Sequence, residues 1–221
     1  MFITFEGLDG SGKTTQARLV MARLKAAGYD VLLTREPGGT GIGDQIREVL
    51  HSLDNTEMHP TTELLLYNAS RAQLVAEVLR PHLNAGGWII CDRFYDSTLA
   101  YQGYGHQLDL NSLKAIVHFA TGGLRPDLTF FLDITPEDGL TRRKQASLFG
   151  EEWNRLDDME LAFHRRVYTG YQALMQAEPQ RWVRINAQQP VEQIQTAIGR
   201  HLDVHLQRRP VPSIHKENPA G

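Results

Sequence analysis

Near the start of the chain, Gly7, Leu8, Asp9, Gly10, Ser11, Gly12, Lys13 and Thr14 follow the pattern of a glycine, four further residues, a second glycine, a lysine and a hydroxyl. Glycines at those places let successive backbone N–H groups turn toward one anion, and Lys13 adds a cation for the outer phosphates. The Thr14 hydroxyl is a hard oxygen donor suited to Mg²⁺, and a helix opening at this point adds the positive end of its dipole. Gly7 to Thr15 is therefore read as the cradle of a nucleoside triphosphate. Such loops serve switches, motors and kinases alike, so other residues must decide the reaction.

Asp92 and Arg93 close an apolar run. A carboxylate at the end of a buried strand is placed to hold Mg²⁺ or its water, and the next residue can grip a second anion in the same crevice. Moving a phosphoryl group onto another phosphate requires several cations over the acceptor and the group in flight. Arg35, Arg47, Arg71 and Arg93 fall near strand ends or the helices after them, and Arg142, Arg143, Lys144 and Arg155 flank an aperiodic stretch from Gln145 to Asn154. That stretch reads as a lid, with a solvated, Glu151- and Glu152-diluted helix end as the alternative. No Asn-Lys-x-Asp segment for a guanine base is present, and Asp92 lacks the acidic neighbour common in motor ATPases.

These groups need a scaffold that gathers strand ends. Apolar runs at Phe2 to Glu6, Asp30 to Arg35, Trp88 to Asp92, Leu128 to Asp133 and Trp182 to Asn186 alternate with helical patterns, which predicts an α/β fold with a five-stranded, doubly wound parallel sheet. Leu19, Leu24 and Ala27 mark the first helix, ended by Gly28; Leu64, Leu65, Leu74, Val75, Val78 and Leu79 mark a long one after Pro60. Gly86 and Gly87 turn into a strand, Trp88 to Asp92, expected at the sheet centre. At 221 residues the chain suits one domain, 1–208, with a lid at about 142–156 and a mobile proline-bearing tail at 209–221. A net charge of -3, evenly spread, argues against nucleic acid and anionic membranes as partners. The single cysteine, Cys91, excludes an internal disulfide and reads as a core thiol. With no membrane-spanning apolar stretch and no signal pattern, a cytoplasmic location is expected.

The motifs resemble the thymidylate kinases over Met1 to about Leu206. The most specific piece is Thr34-Arg35-Glu36-Pro37-Gly38-Gly39-Thr40. Ile46-Arg47, Tyr67 with Arg71, Asp92-Arg93-Phe94, Ala100-Tyr101-Gln102-Gly103, Arg155-Leu156-Asp157 and Phe163-His164-Arg165-Arg166-Val167 continue it in order. The resemblance implies Mg²⁺-dependent transfer from ATP to dTMP and a homodimer. It assigns to dTMP Asp9 (3′-hydroxyl), Glu36 (through metal-bound water), Pro37, Arg47 and Arg93 (the latter two on the phosphate), Tyr67 (ring stacking), Arg71, Thr98 and Gln102 (base edge) and Tyr101 (2′ carbon). Lys13, Arg93, Glu36 and Arg47 become catalytic candidates, and Thr14 and Asp92 the metal side. Because the loop has no arginine, the lid residues Arg142, Arg143 and Arg155 are expected to supply transition-state charge, Arg155 first among them. A kinase for another small acceptor and a non-catalytic nucleotide switch remain the alternatives, separable by acceptor-dependent ADP release.

Overall fold

All five apolar runs become strands of one parallel sheet in the computed structural model, which describes residues 1–149 and 153–208. They are β1 (Phe2–Glu6), β2 (Val31–Arg35), β3 (Trp88–Asp92), β4 (Leu128–Asp133) and β5 (Trp182–Asn186), in the order β2-β3-β1-β4-β5. The central strand is β1, where the sequence pattern predicts β3. Both are near-continuous apolar runs, and only the crossovers decide which lies in the middle. The helices are α1 (Lys13–Ala26), α2 (Gly41–His51), α3 (Pro60–Leu74), α4 (Arg80–Asn84), α5 (Tyr95–Thr98), α6 (Leu110–Thr121), α7 (Pro136–Leu148), α8 (Leu161–Ala177) and α9 (Val191–Arg208).

Strand alternation splits the core in two. Ile3, Phe5 and Ile90 pack with Val20, Leu24, Phe163, Tyr171 and Ile198 on one face. Phe2, Ile89 and Cys91 pack with Leu64, Leu74 and Leu113 on the other. Of the positions that the helical periodicity marks, Leu24, Leu64, Leu74, Val75 and Leu79 are buried. Leu19 and Leu65 point outward instead, and Ala27 lies just past α1. Cys91 is fully buried and its thiol is raised by burial, as suits a packing residue.

Two π-helical stretches, Val75–Leu79 and Leu99–Gly105, interrupt the helices. The first precedes Pro81, which cannot donate a helical hydrogen bond. The second carries Tyr101 and Gln102, and π turns often mark functional positions. The lid expectation changes in form: Arg142, Arg143 and Lys144 lie inside the regular helix α7, which continues to Leu148. Residues 150–152, including Glu151 and Glu152, and the proposed tail 209–221 lie outside the described residues. Among the described residues no helix is long and apolar enough to cross a membrane.

Register then sets up the site. Asp92 lies across from Phe5 on β1 and from Arg35 on β2. The loops beginning at Gly7, Glu36 and Arg93 therefore open on one edge, where the chain turns from one side of β1 to the other.

Candidate active site

The loop between β1 and α1 takes the backbone shape its glycines permit. Gly10 has φ of 77°, and a β-carbon there would run into the Gly139 carbonyl of α7. Gly12, at φ 87°, leads directly into α1. Lys13 folds over the loop: its Nζ donates to the Leu8 carbonyl at 2.8 Å and to Ser11 Oγ at 3.4 Å. Burial and the neighbouring Arg93 push the Lys13 ammonium down to about 8, against the pull of Asp9 and Asp92. The Thr14 hydroxyl donates to the Asp92 carboxylate, so the two expected metal-side oxygens meet.

Arg93 follows β3 in a left-handed conformation, φ 71°, uncommon for a non-glycine residue and concentrated at functional sites. Its backbone N–H donates to Phe5 at 3.0 Å, which pins the turn. From Nη1 it donates to the Gly7 carbonyl (2.9 Å), Ser97 Oγ (3.1 Å) and Tyr171 Oη (3.3 Å). From Nη2 it reaches Asp9 Oδ1 at 2.7 Å and Tyr101 Oη at 3.2 Å. The Tyr101 hydroxyl donates to the other Asp9 oxygen at 3.0 Å. Burial opposes ionisation of Asp9, but Arg93 and Lys13 outweigh it and hold the carboxyl far below the usual range. Beneath them Glu6 accepts from Phe94 N–H, Ser97 and Tyr171; burial and the nearby Asp96 raise it to about 7.

The loop after β2 contains a cis Glu36–Pro37 bond. A β-carbon on Gly38, φ 116°, would collide with Asp44 of α2. Arg47 Nη1 donates to the Pro37 carbonyl at 3.2 Å. Arg71 departs from its expected role. Its guanidinium is buried and spent on Glu36 through Nε and Nη2, and on Asn68 (3.1 Å) and Thr98 (2.9 Å) through Nη1. Only one Nη2 hydrogen lacks a partner among the described residues. Burial raises Glu36, opposed by that guanidinium.

These elements enclose one cleft of about 460 Å³, within the range of small-ligand pockets. Of the predicted residues, Asp9, Gly10, Gly12, Lys13, Thr14, Thr15, Glu36, Pro37, Arg47, Tyr67, Arg71, Asp92, Arg93, Thr98, Tyr101, Gln102, Arg142 and Arg143 line it. Gly7, Leu8 and Ser11 shape the loop from behind. Arg155 does not line the cleft: it is buried, with its Nη2 on the Glu63 carboxylate. Of the other two arginines expected on a lid, Arg142 donates to the Ala187 carbonyl at 2.8 Å and Arg143 to both Asp157 oxygens at 3.1 and 3.2 Å. Sequence reasoning missed His51, Ser97 and Tyr171. Ser97 follows Arg93 by four residues and was findable on that spacing. Tyr171 comes from 78 residues away and carried no local signal.

A phosphate loop on the first strand of a doubly wound parallel sheet, facing a second group of arginines in the same cleft, defines a P-loop kinase of the nucleoside monophosphate class. The family model for thymidylate kinase matches residues 5–198. A thymidylate kinase of Roseiflexus castenholzii is 53% identical over 215 residues, covering 93% of this chain and 94% of the relative. One from Exiguobacterium is 50% identical over 208 residues, covering 94% and 95%. The crystal structure of thymidylate kinase from Ehrlichia chaffeensis superposes with a TM-score of 0.74 at 31% identity, covering 91% of this chain and 98% of that one. The chain belongs to the thymidylate kinase family.

Proposed function

We infer that the protein transfers the γ-phosphoryl group of ATP to the phosphate of dTMP, giving ADP and dTDP. The observation that carries this is the cleft lined by Lys13 and Thr14 on the loop side, by Arg47, Arg93, Arg142 and Arg143, and by Tyr67, Thr98 and Gln102 on the helical wall. It offers a triphosphate cradle, a second anion site and a flat-ring site in one space.

In this reading Lys13 and the loop N–H groups hold the β- and γ-phosphates. Arg47 and Arg93 hold the acceptor phosphate, and Arg142 and Arg143 cover the charge of the phosphoryl group in flight. An acceptor phosphate oxygen forms the new bond to phosphorus, while the bond to the β-γ bridging oxygen breaks and its electron pair leaves with ADP. No general base is needed, because the acceptor is already anionic near neutral pH. Thr14 and Asp92 are hard oxygen donors that suit Mg²⁺, which keeps most of its ligands as water and phosphate and would neutralise charge on the phosphate chain. Glu36, held from behind by Arg71, would accept from a water of that ion on the same side. Asp9 accepts from the 3′-hydroxyl, Tyr101 closes the space beside the 2′ carbon, and Tyr67 stacks on the base. Arg71 mainly positions Glu36 and Thr98.

A coupled ADP-release assay over nucleosides and monophosphates tests this. Turnover with dTMP at the highest kcat/KM is expected. Turnover on nucleosides alone would indicate a hydroxyl acceptor, and nucleotide-dependent partner binding without turnover a switch.

A homodimer accompanies this reading, supported by exposed apolar side chains at Ile42, Val49, Leu53 and Leu65 on and beside α2 and α3. Light scattering at twice the 25.0 kDa chain mass would support it and a monomeric mass would overturn it. A cytoplasmic location goes with substrates found in that compartment.

A further inference from the structure

Glu63, on the first turns of α3, is fully buried and does not line the cleft. It nevertheless collects donors from three separate parts of the chain. Gln102 Nε2 reaches its Oε1 at 2.7 Å, His106 Nε2 reaches the same oxygen at 3.2 Å, and Arg155 Nη2 reaches Oε2. Burial alone would raise the Glu63 carboxyl, but the hydrogen bonds from His106 and Arg155 and the Arg155 charge outweigh it and keep it below the ordinary range. An ionised carboxylate only accepts, so the Gln102 amide has one permitted orientation, with its NH₂ toward Glu63. The carbonyl oxygen is then the group opposite, and Gln102 lines the cleft beside Thr98 and Tyr67.

We propose that Glu63 is a positioning residue for base selection: it locks the Gln102 amide with its carbonyl toward the acceptor base, and Arg155 keeps Glu63 in the form that does so. This rests on the reading of the cleft as a dTMP site. A ring N–H, as in thymine or uracil, donates to that carbonyl. Cytosine presents an acceptor nitrogen there and meets lone pair with lone pair.

Arg155 also ties the selection to the lid side. Its Nε is buried without a partner among the described residues, so its main polar attachment is Glu63. Two residues on, Asp157 holds Arg143 of α7. The stretch from 153 to 157 thus grips α3 through one ion pair and the lid helix through another. Arg155, expected from sequence to enter the transition state, here serves the base wall.

The test uses steady-state kinetics with dTMP, dUMP and dCMP on the full chain and on Glu63→Gln, Gln102→Met, their double variant and Arg155→Met. Glu63→Gln frees the amide to rotate. Its dTMP KM should rise about tenfold, in keeping with one directed hydrogen bond. ATP KM should stay within about twofold, the dCMP to dTMP ratio of kcat/KM should rise about tenfold, and the dUMP to dTMP ratio should hold. In the Gln102→Met background the same change should add less than about twofold, since the route through the amide is already gone. Arg155→Met, which leaves the carboxylate unclamped, should shift dTMP KM and base preference the same way with saturated kcat retained, and it serves as the test should Glu63→Gln fail to fold. Additive losses in the double variant, or an unchanged dCMP ratio, would overturn the proposal. A wild-type protein without dTMP-dependent ADP release would instead remove the reading of the site itself, and this proposal with it.

Discussion

Arg93 and Asp9 are 84 residues apart in the chain and 2.7 Å apart in the fold, with Arg93 Nη2 donating to Asp9 Oδ1. The contact joins the phosphate loop to the end of β3, so two sides of the cleft share one ion pair. Tyr101 closes it into a triangle by donating to the second Asp9 oxygen and placing its ring 5.1 Å from the guanidinium.

Arg93→Ala should therefore lower kcat/KM for dTMP by about 10³-fold, comparable with the loss of other phosphoryl-transfer arginines. It removes the proposed ligand of the acceptor phosphate and leaves Lys13 as the main charge balancing Asp9. Initial rates at varied dTMP check this, and unchanged dTMP saturation would make Arg93 structural.

Asp9→Asn should lower thermal stability in a pH-dependent way. A carboxyl held below its unfolded value contributes stability that is present above that value and lost as pH falls toward the folded one. The wild-type advantage in Tm should be level from neutral pH to about pH 4 and shrink below it. A gap that stays constant down to acid pH would show that the loss comes from packing and not from charge.

Lys13, lowered to about 8 by burial and Arg93, should give kcat/KM for ATP a falling limb above that pH, because loss of the ammonium removes the charge aimed at the outer phosphates. Lys13→Arg, which stays charged, should lose that limb whatever its absolute rate, and Lys13→Ala should nearly abolish turnover while folding normally. A flat wild-type profile to pH 10 would contradict the assignment.

Arg71→Ala should act first on stability. Glu36 would be left buried without its guanidinium, a loss of about 3–5 kcal/mol for a broken buried pair. Urea unfolding measures it. A fully stable variant with only a raised dTMP KM would restore Arg71 to a purely base-reading role.

Arg142→Ala and Arg143→Ala separate the two cations proposed to cover the phosphoryl group in flight. The one that covers moving charge should lose kcat and kcat/KM together, by about 10² to 10³, with ATP affinity unchanged. Titrations of ATP binding beside saturated rates decide it; two variants within twofold of wild type would end the lid-arginine mechanism.

By itself the sequence determined the elements and most of the cleft. Strand and helix periodicity follows from local geometry, and the Gly7 to Thr14 loop, Asp92-Arg93 and the segment around Pro37 announce their chemistry through residue type and spacing, which no tertiary contact is needed to read. What the fold alone decided is which charges are free. Arg71 and Arg155 looked like ligand-binding cations, but burial in a low-dielectric interior makes an unpaired guanidinium costly, and each is spent on a carboxylate, Glu36 or Glu63. Those partners are 35 and 92 residues away, beyond any local pattern. The central place of β1 was likewise invisible, since two buried strands read alike until the crossovers order them, and so was the support that Tyr171 brings to Arg93 from the far helix α8.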